Sequence, residues 1–267
     1  LNQCSAASFG LVNSPRPFFG LFGACSTMAE SMAIGSLLVD GGGVNNCVCI
    51  TSSHFCSAEK QFRFPLELGT QRAPTSQWTV TGSGGVILSS GGTGPVIRSV
   101  TPGIMTDMNV TDTNNMGAAM ACAAASTIVA HLRDTNRAPD YYDLIVTGDL
   151  GIHGRELLLD VLEMHGVNIH CESRLGSLPS PISPETDIIF QDCGAMIFDP
   201  VAQNTCSGGS GCGCSASVLT SYLLKLLEDA TINKILFVAT GALMSPVSVK
   251  QGEPIIGIAH GLAIENM

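Results

Sequence analysis

The chain has 267 residues, a net charge of −10, and 13% charged against 45% hydrophobic residues, which is enough for one large domain or two moderate ones around a substantial core. The acidic balance argues against nonspecific nucleic-acid binding, which needs a Lys/Arg face, and against a polybasic membrane anchor. No run approaches about 18 uninterrupted apolar residues, so no transmembrane helix is expected, and the hydropathy is assigned to buried strands and a large interface.

Leu1-Asn2-Gln3-Cys4 lacks the basic and apolar regions of a signal peptide and reads as the middle of a helix that runs to Leu11. Residues 13–17 form a loop, and 18–22 are expected as a short strand. The strand ends in Gly23-Ala24, then Cys25, then a helical pattern over 26–39 stopped by Gly41-Gly42-Gly43. A buried strand follows at 47–51, then an irregular stretch over 55–76. Residues 77–81 and 86–88 read as two strands around a turn at 82–85, and 89–95 is the best linker. Beyond it come a strand at 96–100, a loop carrying Asp107 and Asp112, and a long Ala- and Met-rich helix at 115–132. A strand at 143–147, a turn at 148–151 and a helix at 153–165 follow, then a strand at 167–171 and a loop at 179–184. A glycine-rich turn at 206–214 opens a helix at 215–227, and a strand at 234–239, a loop at 241–252 and a last strand within 254–264 close the chain. Strands alternate with helices, so the class is α/β with a largely parallel sheet covered on both faces.

Eleven cysteines are present. The count is odd, no Cys-x-x-Cys occurs, and the pairs Cys47/Cys49 and Cys212/Cys214 lack histidines at zinc spacing. They read as small buried hydrophobes in a reducing interior rather than as a disulfide framework or a metal centre. Cys25 differs by position. A thiol at the start of a helix faces unpaired N–H groups and the positive end of the dipole, which favours the thiolate. The same N–H groups would equally hold a carboxylate or another anion. One stretch therefore supports a covalent catalyst or an anion pocket.

The cysteine at a strand-to-helix turn, the second glycine-rich turn and two halves of similar pattern resemble the thiolase and β-ketoacyl synthase superfamily. The strings Pro17-Phe18-Phe19-Gly20-Leu21-Phe22-Gly23-Ala24-Cys25-Ser26-Thr27-Met28, Gln77-Trp78-Thr79-Val80-Thr81-Gly82-Ser83-Gly84, Thr147-Gly148-Asp149-Leu150-Gly151 and Gly208-Gly209-Ser210-Gly211-Cys212-Gly213-Cys214-Ser215 are similar to the stage V sporulation protein AD family. The resemblance runs the length of the chain and implies a thiolase-like fold with two pseudo-repeated halves, 1–93 and 94–267, mixed sheets covered by helices, and an upstream part of the first half that is missing. It implies a sporulation role: binding dipicolinic acid (pyridine-2,6-dicarboxylate) and supporting its uptake into the developing spore, without thiolase activity. It further implies membrane-protein partners from the same operon, a peripheral place at the forespore inner membrane, and a homodimer.

Catalysis in that superfamily needs a base or proton donor and an oxyanion hole beside the cysteine. The resemblance places His or Asn in two turns, yet Thr147-Gly148-Asp149 and the 208–214 turn contain neither, and Thr240-Gly241-Ala242 lacks the last cysteine. The rival reading is an acyl-transferring enzyme with Cys25 as nucleophile, and a third is a scaffold for membrane partners. The ligand site is assigned to Cys25, Asp149, His153, Gly209, Ser210 and Cys212, with the N–H groups of the glycine turn as an anion nest. His153 balances a pocket-facing role against an exposed position at a helix start. Asp149 is a pocket residue or a helix cap. In the pocket it repels a dicarboxylate unless it is protonated or bridged by Ca²⁺ arriving with the ligand. No resident cofactor is expected. The other histidines, Trp78, Asp107 and Asp112 are assigned to structure or solvation.

Overall fold

The structure is a computed structural model that describes residues 3–60, 66, 72–169 and 189–267. Its centre is a mixed sheet in the order β4 (Val96–Thr101), β10 (Ile256–Glu265), β9 (Lys234–Leu243), β6 (Leu144–Thr147) and β7 (Ile189–Asp192), with β5 (Thr106–Asp107) paired to the start of β10. β6 runs parallel to both β9 and β7, and β10 runs antiparallel to β9 and β4. Side chains alternate across the central strands with period two. Leu144, Val146, Ile235, Phe237, Ala239, Leu262 and Ile264 face one apolar cluster, and Ile145, Leu236, Val238, Ala259 and Ala263 face the other.

Helices cover both faces. α2 (Thr27–Asp40) and α8 (Cys212–Val218), which continues through a π turn at Leu219–Leu223 into α9 (Leu224–Glu228), pack on the first face. α4 (Met116–Thr135) and α5 (Gly151–Met164) pack on the second. The alanines of α4 favour the helix and let it lie close to the sheet. By length and composition alone α4 would be apolar enough to cross a membrane, but 61% of its apolar window is buried as a core helix. A two-stranded antiparallel ribbon, β1 (Asn46–Ser53) with β3 (Gly82–Ser89), packs on α2 and α8. β2 (Trp78–Thr79) pairs with β8 (Gly209–Ser210). The remaining short helices are α1 (Gln3–Leu11), α3 (Phe55–Glu59), α6 (Cys193–Met196), α7 (Pro200–Gln203) and α10 (Pro246–Lys250).

The structure corrects several expectations. Residues 18–22 form no strand: Phe18, Phe19 and Phe22 are exposed, and the segment pairs with no strand among the described residues. The glycines at 82–85 are not a turn but the start of one continuous strand. A Cβ on Gly84 would lie 2.4 Å from the Ala216 carbonyl oxygen, so the glycine serves the close approach of α8. Within 241–252, β9 extends to Leu243 and α10 is capped by Ser245, whose side chain accepts from Ser248 N. Residues 167–169 are not strand. The end of that expected strand, with His170 and Cys171, and the loop at 179–184 lie outside the described residues. β7 was not anticipated.

Candidate functional site

Cys25 sits in a 3₁₀ turn, Ala24–Ser26, that feeds directly into α2. Local hydroxyls tie the turn: Ser26 Oγ donates to Gly23 O at 2.6 Å, and Thr27 Oγ1 to Ala24 O at 2.6 Å. Ala24 is held at φ +50, a left-handed conformation that costs a non-glycine residue about 1–2 kcal/mol. β9 presses against this turn. A Cβ on Gly241 would be 2.3 Å from Gly23 O, so only glycine lets the strand approach.

Asp149 follows β6 and is fully buried. Its Oδ2 accepts from Gly211 N at 2.9 Å and its Oδ1 from Thr240 Oγ1 at 2.9 Å. The Cys25 thiol interacts with the same carboxylate. Burial raises the Asp149 carboxyl to about 7. The interactions with Cys25 and Gly211 pull it down, and the Asp192 carboxylate pushes it up. Asp192, also fully buried, accepts from Leu150 N and Gly151 N at 2.8 Å, from Ala195 N at 3.0 Å and from Thr147 Oγ1 at 2.8 Å. It therefore caps the start of α5, one of the two roles weighed for Asp149.

The thiolate expectation for Cys25 is corrected. Burial pushes its pKa well above the ordinary thiol value, the Asp149 carboxylate and then Cys212 push it further, and the Gly211 N–H opposes them more weakly. The helix N-terminus is outweighed by a neighbouring negative charge. Asp149 is the charged group that acts on the sulfur. With the thiol pushed well above its ordinary range and the carboxyl at about 7, the proton stays on sulfur rather than moving to the carboxylate.

The open anion nest is also corrected. Gly208 N donates to Thr205 O at 2.9 Å, Gly211 N to Asp149, and Gly213 N to Ser53 Oγ at 3.0 Å. The anion held by the glycine turn is the chain's own Asp149. Gly209 pairs with Trp78, and a Cβ there would meet Ile197 Cγ2 at 2.6 Å. Ser210 is buried, and its carbonyl accepts from Val80 N. Cys212 Sγ donates to Ser52 O at 3.0 Å, and burial and then Asp149 push this thiol up to about 11. The structure thus gathers Cys25, Asp149, Gly211 and Cys212, with Ser210 and Gly209 just upstream on β8. His153 stands apart on α5, where its Nδ1 lies 3.3 Å from Ser207 Oγ.

Sequence reasoning missed Asp192, Thr240 and Gln77. Gln77 Nε2 donates to Asp149 O at 2.6 Å and to Gly209 O at 3.0 Å, joining the two turns. Of the three, Asp192 alone carried a local signal, an Asp three residues before Ala195 in the manner of an N-cap. Among the described residues, no group of three or more His, Cys, Asp or Glu is placed to hold a metal ion.

The family model of Stage V sporulation protein AD matches residues 1–265. A Stage V sporulation protein AD of Bacillus subtilis (strain 168) is 43% identical over 265 residues, covering 99% of this chain and 73% of the relative. Among solved structures, the tetronic acid condensing enzyme AbyA1 superposes with a TM-score of 0.58 at 14% identity, covering 98% of this chain and 73% of that one. Cerulenin-bound OleA of Xanthomonas campestris gives 0.57 at 12% identity, covering 98% and 69%. The 3-oxoacyl-[acyl-carrier-protein] synthase III of Aquifex aeolicus gives 0.54 at 9% identity, covering 98% and 71%. At these identities the likeness establishes the fold, which is thiolase-like.

Proposed function

This chain belongs to the Stage V sporulation protein AD family, as a sporulation protein on a thiolase-like fold, and on that premise we propose that it is a non-catalytic binding protein for dipicolinic acid that supports uptake of that ligand into the developing spore. The observation that carries the non-catalytic reading is the pairing of Cys25 with Asp149. Where a condensing enzyme needs a base that activates sulfur, this site presents a carboxylate that keeps the proton on it. The ligand-binding surface we assign to the same place, with Cys25, Asp149, Cys212, Ser210 and Gly209 around it and His153 at its edge. Ca²⁺, in this reading, arrives as the chelate of the ligand.

The reading extends to assembly. β1 has one strand neighbour among the described residues, and Val48, Ile50 and Ile87 of the ribbon are exposed. Exposed apolar side chains beside an unpaired strand edge favour association. We assign a homodimer through this ribbon, two halves divided between residues 93 and 94, membrane-protein partners from the same operon, and a peripheral place at the forespore inner membrane. Light scattering at micromolar concentration should give twice the chain mass; a stable monomer would remove the dimer.

Calorimetric titration with dipicolinate, with and without Ca²⁺, tests the binding claim. Saturable binding is expected in the wild type and within a few-fold in Cys25→Ser, which keeps nearly the same side-chain volume. Cys25→Trp should abolish it by filling the site. Unchanged affinity in Cys25→Trp would place the ligand elsewhere.

A further inference from the structure

Asp149 is fully buried, and both of its oxygens are already committed, one to Gly211 N and one to Thr240 Oγ1. The titratable groups that face it are Cys25 from the 3₁₀ turn, Asp192 and Cys193 from the β7–α6 junction, and Cys212 and Cys214 from α8. β9 contributes the neutral Thr240, and the start of α5 contributes backbone N–H groups that go to Asp192. None of these groups is a cation. On α5, Arg155 donates to Gln191 Oε1 at 3.2 Å and His153 contacts Ser207. A second anion brought to Cys25 and Gly211 would meet a buried carboxylate, with no positive charge among these described groups to offset either of them. In a low-dielectric site such a pair of like charges is removed by protonation of one partner or by an intervening cation.

We infer that Asp149 determines the charge form in which the site accepts its ligand: a free planar dicarboxylate binds with uptake of one proton onto Asp149, whereas its chelate with a divalent cation binds without one. The inference rests on the dipicolinate reading above. The proton comes from solvent and ends on a carboxylate oxygen of Asp149, and no covalent bond to the ligand forms. The burial that holds Asp149 near neutrality lets that proton exchange in the physiological range.

Titration calorimetry in two buffers of different ionisation heat counts the proton directly. At pH 8 the wild type should take up close to one proton per free dipicolinate, and at pH 6 close to none. Its affinity for the free ligand should fall about tenfold per pH unit once Asp149 is ionised, and its affinity for the calcium chelate should stay level. Asp149→Asn should bind the free ligand at pH 8 about tenfold more tightly than the wild type, with no proton uptake. Binding at pH 8 with no proton uptake and a level affinity between pH 6 and 8 overturns the inference and leaves the binding reading intact. No binding by the wild type at either pH, free or chelated, overturns both. The wild-type measurement stands without the variant.

Discussion

β6 carries a buried polar cluster at each end, and the two are built on opposite plans. Before the strand, Arg137 Nη1 donates to Tyr142 Oη at 2.9 Å and pairs with Glu265 at 2.9 Å, and Tyr141 Oη donates to Glu265 at 3.2 Å. Tyr142 Oη also hydrogen-bonds His131 Nε2 at 2.5 Å, and the other ring nitrogen, Nδ1, hydrogen-bonds Thr101 Oγ1 at 2.7 Å. Every member has a partner of complementary kind, and the one carboxylate has its cation. After the strand, Asp149 and Asp192 lie fully buried with N–H and hydroxyl donors and, among the described residues, no cation paired to either. The first cluster is a clamp. The second stores a charge the fold does not neutralise, as expected where a site is selected for something other than stability.

The sharpest way to break the contrast is Asp192→Ala. Three backbone N–H groups would lose their acceptor and the Thr147 hydroxyl would keep only Gln191 O at 3.3 Å, which should cost about 4 kcal/mol in urea unfolding. A loss under about 1 kcal/mol would mean the turn at Asp149 is held by other contacts. Tyr142→Phe should cost about 2 kcal/mol, because buried His131 loses a hydrogen-bond partner and Arg137 an acceptor.

The two ends should also answer pH with opposite signs. Burial, with the Arg137 charge, lowers His131 from 6.5 to about 4. The unfolded chain therefore takes the proton first, and this contribution to stability is full above pH 6.5 and lost on acidification toward 4. Asp149 is raised from 3.8 to about 7. Here the native state takes the proton first, so its contribution is full below 3.8 and lost as pH rises through 7. Asp149→Asn should thus gain about 1–2 kcal/mol at pH 8 and leave the fall in stability below pH 6.5 to the two histidines lowered by burial, His131 and His260. A variant less stable than the wild type at pH 8 would contradict the account of Asp149 as an uncompensated charge. The smallest effect expected is from Ala24→Gly. Relief of the left-handed strain, less the entropy of glycine, should stabilise by about 0.5 kcal/mol.

What was legible in the chain follows the distance over which each feature is decided. The turn at Cys25 and the turn at Asp149 were readable because each is a local string. Their meeting was not, since Thr240 reaches Asp149 across a separation of 91 residues and Gly211 across 62. Gly82–Gly85 misled because glycine there serves the approach of α8 rather than a bend. β7 escaped notice because its last residues, Gln191 and Asp192, are polar yet buried, so no apolar period marks them. The thiolate expectation failed for the same reason. The dipole of α2 is visible in sequence, but the carboxylate that overrides it comes from another element.

The account's central claim is that Cys25 is a protonated thiol beside a carboxylate, in a site that binds rather than reacts. Intact-mass spectrometry after incubation with acyl-CoA tests it most directly. The account predicts an unmodified chain at pH 7 after prolonged incubation, in the wild type as in Cys25→Ser. An acyl adduct on Cys25 that turns over when a second acyl substrate is added would contradict it and restore the condensing-enzyme reading.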